Sequence, residues 1–402
     1  MFITQADPRS RISRGEGSFV IHIAFILLFP GFFFYQTLLG LGVIGAFLGG
    51  YFTAVALVLT VPLIYTCHIE SKKNRGFFSA YDLLCLLYIA YFLIIIIINY
   101  SSGANKMIAQ RYIQSIIFCI DTYIIFRLIN LSSAKFIFFT GASLVVMSTI
   151  TIYLSIDGFF YLQALGQAKD PDNLATYQGF ARSYIYTFFI VTALVTKAGV
   201  RLIIYGVAIA TLFLNGARSE FSAILFSVPL IEIYYTRHKV TCIFSLIGIS
   251  LILMTSSQSL ATMLPDNRTL QLLDLSHSSS AVARQHLSSD AWRTITENPF
   301  LGSFASYADG HYAHNILCAW VDFGLFGFVF FAILLLFPAY KLFSHGFFAS
   351  VKSTDFVLAL ALTCITILWA VSAKNVPDMS VGAALGAFAK YRCSTISRNS
   401  HH

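Results

Sequence analysis

The sequence predicts an all-α, polytopic integral membrane protein with about twelve transmembrane helices and a large extramembrane loop that contains short helices of its own. Three observations predict it. First, 57% of the residues are hydrophobic and only 11% are charged, against about 25% charged in soluble domains. A water-soluble chain of this size could not hide so much apolar surface. Second, apolar runs near the roughly 20 residues needed to span a bilayer recur along nearly the whole chain. Third, Lys and Arg stand singly at the ends of these runs, as membrane topology requires. They form no basic stripe interleaved with aromatics, so the net charge of +8 is not read as a nucleic-acid surface.

The apolar runs place spans at about 18–36, 38–66, 82–98, 112–129, 136–155, 182–196, 200–215, 219–235, 240–256, 314–337, 355–373 and 376–390. The second is long enough to tilt. The first starts late and flows straight into the second, unlike a cleavable signal. The whole of 1–402 reads as one transmembrane domain with two large polar loops, 156–181 and 257–313. With Arg9, Arg11 and Arg14 inside, 17 of the 26 basic residues share the side of both termini. Both large loops then fall outside. The seven cysteines include no CxxC pair and none lies in 257–313, so no disulfide staple or cysteine metal site is expected there.

The outer side nevertheless receives Arg182, Arg218, Arg268, Arg284 and Arg293, against the charge rule. Arg218 sits in the turn Asn215-Gly216-Ala217-Arg218-Ser219-Glu220. Gly216 permits the bend, and Ser219 is expected to cap the following helix. A helix N-terminus beside a guanidinium suits a phosphate. The bland alternative is a local pair with Glu220 that closes the hairpin. In the large loop, Ser278–Ser280 precede one expected short helix at 281–287 and Ser288-Ser289-Asp290 precede a second at 291–295. Pro299 ends it. Arg293 either pairs with Asp290, a contact of about 0–1 kcal/mol, or turns with Arg284 toward a polyanion. Trp292 suits an interface or a sugar ring.

The return into the membrane carries His314 and Asn315 at a helix N-terminus, where backbone N–H groups are unpaired. A histidine there donates to an anion or gives up a proton. Asn315 and Asp322 are seven apart, which predicts a shared helix face. An intramembrane carboxylate such as Asp322 is functional or hydrogen-bonds a neighbouring helix. Asp170-Pro171-Asp172 spells a DxD motif but reads as turn chemistry. No metal and no cofactor are expected. Asp121 is the midplane charge that a transporter would use, although the two halves show no obvious repeat.

Three features together resemble the O-antigen polymerase and ligase superfamily of bacterial inner membranes. They are the Asn215-Gly216-Ala217-Arg218-Ser219 hairpin, the loop ending Asn298-Pro299-Phe300-Leu301-Gly302, and His314-Asn315-Ile316-Leu317 followed by Asp322-Phe323-Gly324-Leu325-Phe326-Gly327. Tyr177-Gln178-Gly179-Phe180-Ala181-Arg182 is more similar to the polymerases (Wzy type) than to the ligases. The Arg-x10-Gly repeats of some polymerases are not intact here, because Arg182, Arg284 and Arg293 lack a glycine eleven residues on. The resemblance implies a metal-independent glycosyltransferase in the inner membrane, with both termini cytoplasmic and the site facing the periplasm. It would join repeat units carried on undecaprenyl diphosphate, its donor and acceptor, in partnership with the bilayer and a chain-length regulator and without nucleic acid. On that footing His314, Arg218 and Arg293 are the expected catalytic residues. Arg182, Arg284, Tyr177 and Asn315 are expected to bind substrate. A ligase acting on lipid A core, and a flippase for lipid-linked oligosaccharides, are the alternatives.

Overall fold

The computed structural model describes residues 16–45, 51–73, 77–101, 105–156, 159–160, 176–236, 238–241, 243–244, 279–307, 311–313, 315–349, 352–372 and 378–399. His314, Arg268, Asp170, Asp172 and most of the expected span at 240–256 lie outside them.

The described chain is helical apart from one two-residue hairpin, β1 (Ser155–Ile156) with β2 (Phe159–Phe160). The helices are α1 (Gly17–Gly40), α2 (Tyr51–Lys73), α3 (Ala80–Ser101), α4 (Lys106–Leu128), α5 (Ala134–Tyr153), α6 (Thr176–Leu194), α7 (Ala198–Asn215), α8 (Arg218–Tyr235), α9 (Ser279–Glu297), α10 (Leu317–Gly346), α11 (Thr354–Ser372) and α12 (Met379–Asn399). Seven of them (α1, α2, α3, α5, α7, α10 and α11) are long and apolar enough to cross a membrane. Large apolar side chains on these helices face outward, among them Val58 at 74% exposure and Ile203 at 69%. That apolar exterior makes this a membrane-embedded, all-α protein.

Contacts divide the chain into two compact units. The first holds residues 1–55 and 129–275, the second 56–128 and 276–402. In the first, α6 is the core: Tyr184, Ile185, Tyr186, Phe188 and Phe189 are buried, and α1, α5, α7 and α8 pack around it. A helix enclosed by other helices can carry polar groups that a lipid-facing helix cannot. Buried Thr187 returns its hydroxyl to Ser183 O (2.8 Å), and Ser148 of α5 meets Tyr184 (2.8 Å). In the second, α12 packs on α4 and α11. A Cβ on Gly382 or Gly386 would run into the carbonyl oxygen of Cys119 or Tyr123. This four-residue spacing of small residues brings the two backbones together, and Thr122 donates across to Met379 O (2.9 Å).

Three expectations about elements are corrected. The second span does not begin at 38, because α1 runs on to Gly40 and closes there. Val43 N bonds Leu38 O and Gly42 N bonds Leu39 O, each at 3.0 Å, a Schellman closure. The apolar Leu-Gly run hides this turn from a hydropathy reading, and α2 spans Tyr51–Lys73 instead. The two short loop helices are one, α9. Ser289 returns its hydroxyl to Gln285 O (3.1 Å), and Ala291 and Ile295, four apart, are buried on one side of the helix. Packing of that stripe overrides the serines' preference for helix ends. Finally, Asn315 precedes the first turn of α10 rather than lying on it, so the shared face with Asp322 does not form.

Candidate functional site

In the first unit, the corner between α7 and α8 is built on Gly216. Its φ of 75° and ψ of 8° are left-handed, the conformation glycine adopts without strain. The ring of Phe159 lies where a side chain at Gly216 would go. The chain then turns directly into α8, with Arg218 as its first residue and Ala217 at the cap. Ser219 does not cap the helix as expected. It lies inside the first turn, and its hydroxyl donates to Glu220 Oε2 at 2.6 Å.

Glu220 is completely buried, and Arg182 Nε of α6 approaches its Oε1 at 3.8 Å. The carboxylate therefore joins the starts of α6 and α8. Tyr177 lies half-buried near the start of α6, its hydroxyl 3.4 Å from the Gln178 amide. The corner thus brings the Arg182 guanidinium and the Glu220 carboxylate to the N-terminal turn of α8, whose first residue is Arg218, and a helix N-terminus with basic residues favours an anion. Beside it, Asn215 is buried with its Oδ1 lacking a hydrogen-bond partner. That oxygen can accept from a ligand hydroxyl, a role the sequence reading did not assign.

In the second unit, the segment after α9 docks onto a break in α10. Gly324 interrupts the helix with φ 67° and ψ −175°. The break exposes backbone groups of α10, and the loop takes them up. Leu325 N bonds Pro299 O at 3.0 Å, Ser303 N bonds Val321 O at 2.6 Å, and Trp320 Nε1 bonds Pro299 O at 2.8 Å. Two of the stretches that carry the resemblance, 298–302 and 322–327, therefore meet at one joint, through Leu325, with Trp320 and Val321 just before the second stretch adding further bonds.

Asp322 lies inside this joint and is fully buried. It accepts hydrogen bonds from Tyr112 of α4, from Tyr307 (3.1 Å) and from Ala305 N (3.2 Å). The two phenol oxygens are themselves 2.6 Å apart. Burial and the neighbouring Asp322 charge push the Tyr307 phenol well above its ordinary pKa, so it stays a neutral donor. Of the two readings of Asp322, a hydrogen bond to a neighbouring helix is the one realised. Tyr112 and Tyr307 carried no sequence signal.

The remaining residues of this unit have definite contacts. Asn315 Oδ1 accepts from Leu317 N (3.0 Å), closing the first turn of α10, and its amide donates to Ser288 Oγ of α9 (3.1 Å). Arg293 pairs with Asp290 at 3.1 Å, both strongly exposed, as the bland reading expects. Arg284, also exposed, donates to Ser372 O at 3.4 Å. Tyr177, Arg182 and Arg218 thus belong to one unit and Arg284, Arg293 and Asn315 to the other.

No family model, curated protein or solved structure matches the chain.

Proposed function

We propose that the chain is a glycosyltransferase of the bacterial inner membrane, polymerising undecaprenyl-diphosphate-linked repeat units into O-antigen or a related surface polysaccharide. The observation that carries this reading is the α7–α8 corner, where Arg182 of α6 lies 3.8 Å from the buried Glu220 carboxylate in the first turn of α8 and Arg218 is the first residue of that helix. Such a corner retains net positive charge and suits the diphosphate of a lipid-linked donor. The joint between 298–302 and α10 supports it from the second unit, because it anchors the helix that bears Arg284 and Arg293. About twelve spans, cytoplasmic termini and a periplasmic site belong to the same proposal, as does a chain-length regulator as partner.

In the proposed reaction, an acceptor hydroxyl of one repeat unit attacks the anomeric carbon of another. The new C–O bond forms as the bond to the lipid diphosphate breaks. Arg218 is the residue proposed to hold the departing diphosphate, and the hydroxyl proton passes to a base, the role the sequence suggests for His314. Positioning and charge stabilisation supply the catalysis. The test is surface polysaccharide from a strain lacking the protein, resolved by size. A single repeat unit on lipid A core with the ladder lost is expected. Polymer left on the lipid carrier with bare core would make the protein a ligase instead.

One observation favours a flippase as second reading. Asp121 is buried within α4, its Oδ2 accepting from Thr60 at 3.2 Å and its Oδ1 without a partner. Buried intramembrane carboxylates serve transport. Purified protein that elongates lipid-linked repeats in detergent, with no gradient, would reject the flippase.

A further inference from the structure

The second unit contains a cleft of about 380 Å³ between α2, α3, α4 and α12, whose lining includes none of Asp322, Tyr112 and Tyr307. On α2 it is lined by Ile64, Cys67, His68 and Ser71. These recur at helical spacing, so one face of α2 forms one wall. The opposite walls carry aliphatic and aromatic residues of α3, α4 and α12 almost throughout. A cavity with such walls does not hold water and accepts an apolar guest. Both α2 and α3 turn most of their apolar surface outward, so the medium beside the cleft is lipid.

Length and polarity select the guest. From Phe78, just before α3, to Phe92 the lining extends roughly 20 Å at about 1.5 Å per residue. That exceeds half of the ~30 Å hydrocarbon core, the depth of one leaflet. Apart from the hydroxyls of Tyr88 and Tyr123, the polar side chains of the lining, His68 and Ser71, lie at one end, near the C-terminus of α2. Lys72 follows His68 by four residues and is exposed. Lys73 is already paired with Glu70 at 3.2 Å. We propose that this cleft binds one anionic phospholipid, its acyl chain between α2 and α3 and its phosphate at His68, Ser71 and Lys72. The proposal requires only that the protein is membrane-embedded and stands apart from its reading as a polymerase.

The test uses full-length protein purified in mild detergent, stripped of lipid and titrated with phosphatidylglycerol or phosphatidylcholine. Native mass spectrometry counts the lipids retained. One phosphatidylglycerol per chain is expected, with phosphatidylcholine held no better than non-specifically. Lys72→Ala, at an exposed position, should weaken phosphatidylglycerol about fivefold, the effect of one basic charge at a membrane surface. Ile120→Trp should fill the cleft and abolish retention. Native cysteines supply a readout free of mutation. Phosphatidylglycerol should slow N-ethylmaleimide at Cys67, in the cleft, and leave Cys393 unchanged, both thiols being half-buried. Equal retention of the two lipids, or a Cys67 rate that phosphatidylglycerol does not change, would overturn the proposal.

Discussion

Replacing Gly324 with alanine tests the joint on which the second cluster rests. At φ 67° and ψ −175° only glycine sits without strain. A residue forced to stay there carries about 1–3 kcal/mol. The new methyl would also overlap Phe300 O and lie 2.6 Å from Phe300 C and 2.7 Å from Leu301 C. These are backbone atoms and cannot rotate away, so the 298–302 segment must move. Moving it breaks Leu325 N to Pro299 O and Ser303 N to Val321 O, each worth about 0.5–1.5 kcal/mol. The sum is about 2–6 kcal/mol.

At about 2–4 °C per kcal/mol for a large domain, the midpoint of thermal unfolding in detergent should fall by at least about 4 °C. The control is Gly206→Ala. Gly206 lies within α7 and a Cβ there meets nothing within 4 Å. That change should be neutral or stabilise by up to about 1 kcal/mol, because alanine has the better helix propensity. Fluorescence-detected gel filtration after heating measures both. If Gly324→Ala melts within about 1 °C of the parent while Gly206→Ala behaves as stated, the break at Gly324 does not form and the joint is wrong.

Other outcomes follow from the same geometry. Arg182→Ala removes the cation 3.8 Å from the buried Glu220 carboxylate and should destabilise by about 1–3 kcal/mol; adding Glu220→Gln should restore most of the melting temperature without restoring polymer. Arg293→Ala breaks only an exposed pair and should change stability by under about 1 kcal/mol. Long-chain polymer at normal protein abundance in that strain would remove Arg293 from the diphosphate site. The raised pKa of Tyr307 has a definite sign. Its contribution is complete below the ordinary phenol pKa of about 10 and is lost as pH rises through the higher folded value. The stability gap between the parent and Tyr307→Phe should therefore shrink above about pH 10, and a gap independent of pH would place Tyr307 outside the Asp322 cluster.

Hydropathy located the helices well, including α4, α6, α8 and α12, which carry charge and are not among the seven that meet span length and composition. Several of these charges are enclosed by protein rather than lipid, as Asp121 and Arg127 of α4 and Glu220 of α8 are buried. Local signals also worked where the cause is local. Gly216 made its turn and Pro299 stopped α9. What stayed hidden depends on partners distant in sequence. Arg182 reaches Glu220 from another helix, and Tyr112 reaches Asp322 across 210 positions. No spacing rule encodes either contact. Ser219 and Ser288–Asp290 misled for a related reason: they are good helix caps in isolation, but packing decided where the helices began.

The stretches most suggestive of chemistry in the second unit are largely architectural. Asp322 takes three donors, Asn315 holds the start of α10 against α9, and 298–302 is fastened to the Gly324 break. A residue already committed to such contacts is poorly placed to exchange them for a substrate during turnover. Loss of activity on changing Asp322 or Asn315 would then report a displaced loop rather than a lost catalyst, and a lowered melting temperature would accompany it. The exposed Arg284 is the reverse case, with one long hydrogen bond to a backbone carbonyl at 3.4 Å. Its substitution should leave folding untouched, so an effect on polymer there bears on diphosphate binding directly.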